Sequence, residues 1–223
     1  MISGNKSDGL FIDSESDSNR VLGNRIGTTA NGTAALGNGE AGVLLQGTSN
    51  TVGDGTAAGS NTIAFNAEDG VQVQTGIGNA IFSNAGLGID LHGGFEDAQG
   101  NTANDPGDID TGANGLQNKP VVSSATTSST KTTIAVKLAS APDTSYTIEF
   151  YSNPSGNEGR KFVGRKIVTT DPRGNAAFTF SPAARIPVGQ AVTATSKAKL
   201  VTLVSTSDED TSEFSAPKTV ASS

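Results

Sequence analysis

"NTIAFNAEDGVQV" (residues 61–73) and "NAIFSNAGLGIDL" (residues 79–91) are one pattern written twice. Each opens on Asn-x-Ile, sets a second Asn five residues after the first, and closes on Gly followed by alternating apolar residues. The matching pairs are Asn61/Asn79, Ile63/Ile81, Asn66/Asn84, Gly70/Gly88, Val71/Ile89 and Val73/Leu91. Upstream, "DGLFI" (8–12) and "AGVLL" (41–45) repeat the closing half, and "NRVLGN" (19–24) repeats the opening half. "ISGN" (2–5) reads as the end of one more unit.

Apolar residues at alternate positions have the period of a strand with one buried face. A strand this short cannot bury that face alone, so each copy must stack on the next. The geometry that follows is a chain coiling so that each strand pairs in parallel with its equivalent about 4.8 Å below. Gly and Asn supply the left-handed backbone that tight corners need. Asn side chains aligned at a corner can hydrogen-bond up and down the stack. The expected fold is therefore all-β, a parallel β-helix. "TTANGTAALGNGE" (28–40) and "NTVGDGTAAGS" (50–60) are read as loops protruding at corners, where a solenoid tolerates insertions.

Composition changes partway along the 223 residues. Residues 1–119 hold 23 of the 28 Gly and a net charge of −10, whereas residues 120–223 hold 5 Gly and a net charge of +3. The expected organisation is a β-helix over 1–98, an acidic Gly/Asn/Asp-rich linker over 99–119, and a second module over 120–223. In that module "TTIAVKL" (132–138), "SYTIEFY" (145–151), "KFVGRKIVT" (161–169), "NAAFTF" (175–180) and "QAVTATS" (190–196) alternate apolar and polar residues. Turn signals such as "SNPSGNEG" and "DPRGN" separate them, the spacing of a β-sandwich. The stretch "KAKLVTLVSTSDED" (197–210) is expected to add a strand or lengthen a hairpin. Arg160, Lys161, Arg165 and Lys166 bracket one strand and read as a charged edge that resists pairing.

"NRIGTTANGTAALGN", "GVLLQGTSNTVGDGTAAGSNTIAFN", "GLGIDL" and "NDPGDIDTGANGLQNKPVV" resemble bacterial exported right-handed parallel β-helix proteins of the CSLREA type. "TIEFYSNPSGNEG", "VTTDPRGNAAF" and "TSEFSAP" resemble the immunoglobulin-like C-terminal module of the same family. The resemblance implies a right-handed β-helix followed by an immunoglobulin-like β-sandwich and an extracellular or cell-surface setting. It implies little about activity. The chain differs from the family in opening inside a coil, and "MISGNKSDGL" lacks a signal-peptide pattern. A natural truncation or a piece of a longer secreted protein is the expectation.

Several partners are excluded. The acidic balance lacks the basic footprint that nucleic acid requires. No run of about 18 apolar residues is present to span a membrane. The chain has no Cys, hence no disulfide and no thiolate nucleophile or ligand.

The strand register sorts residues into columns. Leu10, Ile12, Val43, Leu45, Val71, Val73, Ile89 and Leu91 face inward. One outward column runs Phe11, Leu44, Gln72, Asp90, and the next runs Asp13, Gln46, Gln74, His92. Polysaccharide-active β-helices carry their carboxylates on such a face. Here Asp13 and Asp90 stand about 14 Å apart at three stacking intervals, beyond the roughly 5–9.5 Å of glycosidase pairs. Asp90 and His92 are the weak catalytic candidates. Phe11, Asp13, Leu44, Gln46, Gln72 and Gln74 form a face that could bind an extended polysaccharide or another protein. Asp105, Asp108 and Asp110 carry oxygen ligands at short spacing beside Gly112, which points to Ca²⁺ as the cofactor, although the distal Glu of an EF-hand is missing. An open coil end at residues 1–12 invites self-association. The reading that joins these is a non-catalytic structural or adhesion-type spacer; its competitor is a polysaccharide-binding or polysaccharide-degrading protein.

Overall fold

The computed structural model describes residues 1–72, 79–198 and 210–223. The described chain is almost entirely β, with parallel sheets in its first part. Among the described residues nine short strands come first: β1 (Leu10–Ile12), β2 (Arg20–Val21), β3 (Arg25–Ile26), β4 (Val43–Leu45), β5 (Thr51–Val52), β6 (Thr62–Ala64), β7 (Val71–Gln72), β8 (Ala80–Phe82) and β9 (Ile89–Asp90). They form three parallel ladders in the orders β1-β4-β7-β9, β2-β5 and β3-β6-β8. The chain thus visits each ladder in turn before rising to the next layer.

The register is the one that the repeat dictates. Ile63 pairs with Ile81, Val71 with Ile89, and Phe11 with Leu44. Ile2 bridges Ile26 in parallel, so "ISGN" does occupy one more layer. Ile12, Val43, Leu45, Val71, Ile89 and Leu91 lie in one buried cluster with Ile26, Val52, Ile63 and Ile81. Leu10 is only partly buried against it. Val73 and Gln74 lie outside the described residues, as does most of the 197–210 stretch.

Each corner carries an Asn file. Asn5, Asn38, Asn66 and Asn84 form the longest, each Nδ2 donating to the next Oδ1 at 2.8–3.0 Å. The backbone N–H of each rung donates to that same oxygen. Asn24, Asn61 and Asn79 form a second file, and Asn19 and Asn50 a third. The residue before many of these Asn takes a left-handed backbone: Ser18, Ser49, Phe65 and Ser83 have φ of 60°, 56°, 65° and 60°. That turn sets the Asn side chain in line with its file, at a cost of about 1–2 kcal/mol for a residue with a Cβ. The amide files offset it by satisfying corner N–H groups that no strand ladder reaches.

After β9 the chain makes a tight turn at Ala113–Leu116, with Asn114, Gly115 and Leu116 in left-handed backbone. It then builds β10 (Val121–Thr127), β11 (Thr132–Ala139), β12 (Ser145–Asn153), β13 (Lys161–Thr169), β14 (Asn175–Phe180), β15 (Ala191–Ala198), β16 (Lys218–Thr219) and β17 (Ala221–Ser222). Two four-stranded sheets result, β14-β11-β10-β17 and β13-β12-β15-β16. They share a core of Val122, Ile134, Val136, Ile148, Phe150 and Val192, with Phe150 stacked on Phe180 at 4.3 Å. Every alternating stretch read in the sequence is a strand here. β10 was not among them, because "VVSSATT" is too polar to alternate clearly.

The two cores are not isolated from each other. Tyr151 and Phe214 belong to the cluster of the parallel layers, as does Leu116 from the acidic segment. Residues 99–119 therefore pack against the end of the stack, with Thr102, Gln117 and Asn118 buried.

Candidate functional site

The chemistry-bearing side chains converge where the last parallel layer meets the C-terminal sheets. At the end of the longest Asn file, Asn84 Nδ2 has no further Asn to donate to. Glu158 takes that place: its Oε1 accepts from Asn84 Nδ2 at 2.9 Å, and its carboxylate also lies 3.3–3.4 Å from the Asn84 N–H. The next residue, Gly159, bridges Ile81 antiparallel, with N–H···O distances of 2.8 and 2.9 Å in both directions. Arg160 then sets its guanidinium 4.7 Å from the Phe82 ring. Three consecutive residues thus cover the free edge of β8 with a rung, a backbone pair and a cation.

The loop that presents them is itself held. Asn153 Nδ2 and Thr193 Oγ1 both donate to the Glu158 carbonyl, and the Arg160 N–H donates to Asn153 Oδ1. Gly159 is required, since a Cβ there would lie 2.6 Å from the Phe214 ring. Burial pushes the Glu158 carboxyl up, while its hydrogen bonds from Asn84 and Ser83 pull the other way.

Glu213 closes the neighbouring ladder. Its carboxylate accepts from the N–H groups of Leu91 and Thr102 and pairs with Lys119 Nζ at 2.7 Å. This places it beside Asp90. The sequence reading set Asp90 and His92 on an open outward face, and that is corrected for Asp90. The register holds, with Gln72 opposite Asp90, but Asp90 is only 8% exposed. Burial first, then the charges of Asp69, Glu213 and Glu96, raise its carboxyl to about 6, with His92 opposing. His92 is exposed, and its Nδ1 stands 3.9 Å from Asp90 Oδ2, beyond hydrogen-bond range.

Asp105, Asp108 and Asp110 do come together: one oxygen from each lies within 4.8 Å of the others. Asp108 accepts from the Asn118 N–H and Gln117 Nε2 of its own segment and from Ser140 Oγ of the C-terminal module. Asp105 Oδ2 accepts from the Ile109 N–H. Asp105 Oδ1 and Asp110 Oδ1 are buried atoms with no hydrogen-bond partner. Burial raises the carboxyls of Asp108 and Asp110, and the charge of Asp105 adds to both. Oxygen-only ligands, clustered charge and orphaned acceptors suit a hard cation such as Ca²⁺.

The outward face is less uniform than the columns imply. Phe11 is half exposed, Leu44 and Gln72 are half-buried, and Gln46 is exposed. Asp13 Oδ1 is engaged in its own turn, accepting from the Glu15 N–H and Ser16 Oγ. Glu158 and Glu213 were not singled out in the sequence, and no local signal marks them. Neither family models nor curated protein sequences match the chain.

Proposed function

We propose that the chain is a right-handed parallel β-helix closed at one end by an immunoglobulin-like β-sandwich, working as a non-catalytic extracellular or cell-surface spacer of adhesion type. The observation that carries this reading is Glu158 standing as the last rung of the Asn file. A terminal carboxylate, a backbone bridge and a shared apolar cluster couple the two modules into one stiff body, which a spacer needs. NMR relaxation tests the coupling. One rotational correlation time for the Ile63 and Ile134 amides supports it, and two distinct times refute it.

A competing reading rests on Phe11, which stands half exposed over a groove of about 400 Å³ lined by Leu10, Asp13, Ser16, Asn19 and Arg20. A polysaccharide chain on this face would stack on Phe11 and bond to Asp13 and Gln46. Turnover of acidic polysaccharides that is lost in Asp90→Asn would favour an enzyme and overturn the spacer reading.

The proposal includes Ca²⁺ at Asp105, Asp108 and Asp110. A cation there would satisfy the two orphaned oxygens and offset most of the charge of three clustered carboxylates. It would also fix the acidic segment against the β-sandwich through Asp108 and Ser140. Among the described residues no helix is long and apolar enough to cross a membrane.

A further inference from the structure

Carboxylates at the junction are answered unequally. Glu213 has Lys119 and two backbone N–H groups, and Glu158 has Asn84. Asp90, 8% exposed, accepts no hydrogen bond from the described residues, and its nearest cationic group is the exposed His92 imidazole, 3.9 Å from Oδ2. The charged groups facing it are Asp69 from the turn before β7, Glu96 from the segment after β9, Glu213 from the C-terminal module, and His92, two residues beyond it and just past the end of β9. Asp69 is held in place by the Leu87 N–H and Gln72 Nε2, and Glu96 accepts from the Gly93 N–H. A largely buried carboxylate that no hydrogen-bond donor among the described residues reaches is costly to ionise, and three like charges around it increase that cost.

We propose that this junction is a proton-operated clasp with Asp90 as its trigger. Uptake of one proton at Asp90 removes one of the four clustered negative charges and seats the end of the stack more firmly on the C-terminal sheets. The direct link is Leu91, next to Asp90, whose N–H donates to Glu213. The inference goes beyond the spacer reading and holds whatever the stack is used for.

The direction follows from linkage. The carboxyl of folded Asp90 sits near 6 against an ordinary 3.8, so the folded state holds the proton more tightly. Stability is gained as pH falls through about 6 and is fully present below 3.8. Glu158, Asp108 and Asp110 are shifted upward too, so the wild-type pH slope alone does not isolate Asp90.

The isolating experiment compares thermal unfolding of wild type and Asp90→Asn at pH 8 and pH 5. Asn keeps the shape and removes the charge, so the variant is expected about 3 °C or more above wild type at pH 8, with about half the gap gone at pH 5. In the unaltered chain, ¹³C NMR should titrate the Asp90 carboxyl near 6. Hydrogen exchange, corrected for its intrinsic pH dependence, should show the Leu91 amide better protected at the lower pH. A gap that does not change with pH, a variant less stable than wild type at pH 8, or an Asp90 midpoint below about 4.5 would overturn the proposal.

Discussion

Asn66→Ala tests the amide file at its middle. Asn66 is 2% exposed, and its Oδ1 accepts from Asn38 Nδ2 at 2.8 Å and from the Asn38 N–H at 3.3 Å. Its Nδ2 donates to Asn84 Oδ1 at 2.8 Å, and its own N–H reaches the same oxygen at 3.1 Å. Truncation leaves two Asn38 donors without their acceptor, with Ile2 O at 3.4 Å as a weak substitute for one. Asn84 Oδ1 keeps the backbone donor. Two buried donors at about 1–3 kcal/mol each, discounted for that substitute, give a loss of about 2–5 kcal/mol. For a chain of this size that is a fall in Tm of about 5–15 °C. Asn5→Ala, at the exposed end of the file where the side chain only donates, should cost under about 1 kcal/mol. Asn66→Asp separates the file from plain packing. It restores the acceptor for Asn38 but sets a second oxygen against Asn84 Oδ1, so at pH 7.5 it should be no better than Ala. A carboxylate suits Glu158 because nothing beyond it needs a donor. The assay is thermal unfolding by circular dichroism of the three variants. Equal losses for Asn5→Ala and Asn66→Ala would refute the reasoning.

Other expectations follow from the same geometry. Ca²⁺ at millimolar concentration should raise Tm by about 3–10 °C, from about 1–3 kcal/mol of binding linkage, and Asp110→Asn should abolish the response; no shift in wild type excludes the site. Protons compete for the same carboxylates, so the calcium effect should shrink as pH falls, measurable by calorimetric titration. Gly159→Ala drives a Cβ into the Phe214 ring and should cost about 1–3 kcal/mol, with faster amide exchange at Ile81 while Ile134 stays protected. Ser18→Gly removes a left-handed Cβ at an exposed corner and should stabilise by about 0.5–1 kcal/mol in chemical denaturation.

How much was legible depends on how far apart the interacting residues lie. The parallel layers, their inward columns and the Asn files follow from the repeat itself, because alternation and corner chemistry are local and each unit restates them. The Asp105–Asp108–Asp110 cluster was legible for the same reason, its three acids lying within one turn of chain. The role of Glu158 was not, since its partner Asn84 is 74 residues away and nothing around "NEGR" distinguishes a rung from a solvated acid. Asp90 shows the division within one residue. Its outward direction is a matter of strand parity, which the sequence alone determined. Its burial and its elevated carboxyl were decided only by tertiary structure, when Glu213, whose carboxylate meets Leu91 across 122 residues of chain, came to lie beside it. Periodicity specifies which way a side chain points; what fills the space it points into depends on contacts that no local pattern encodes.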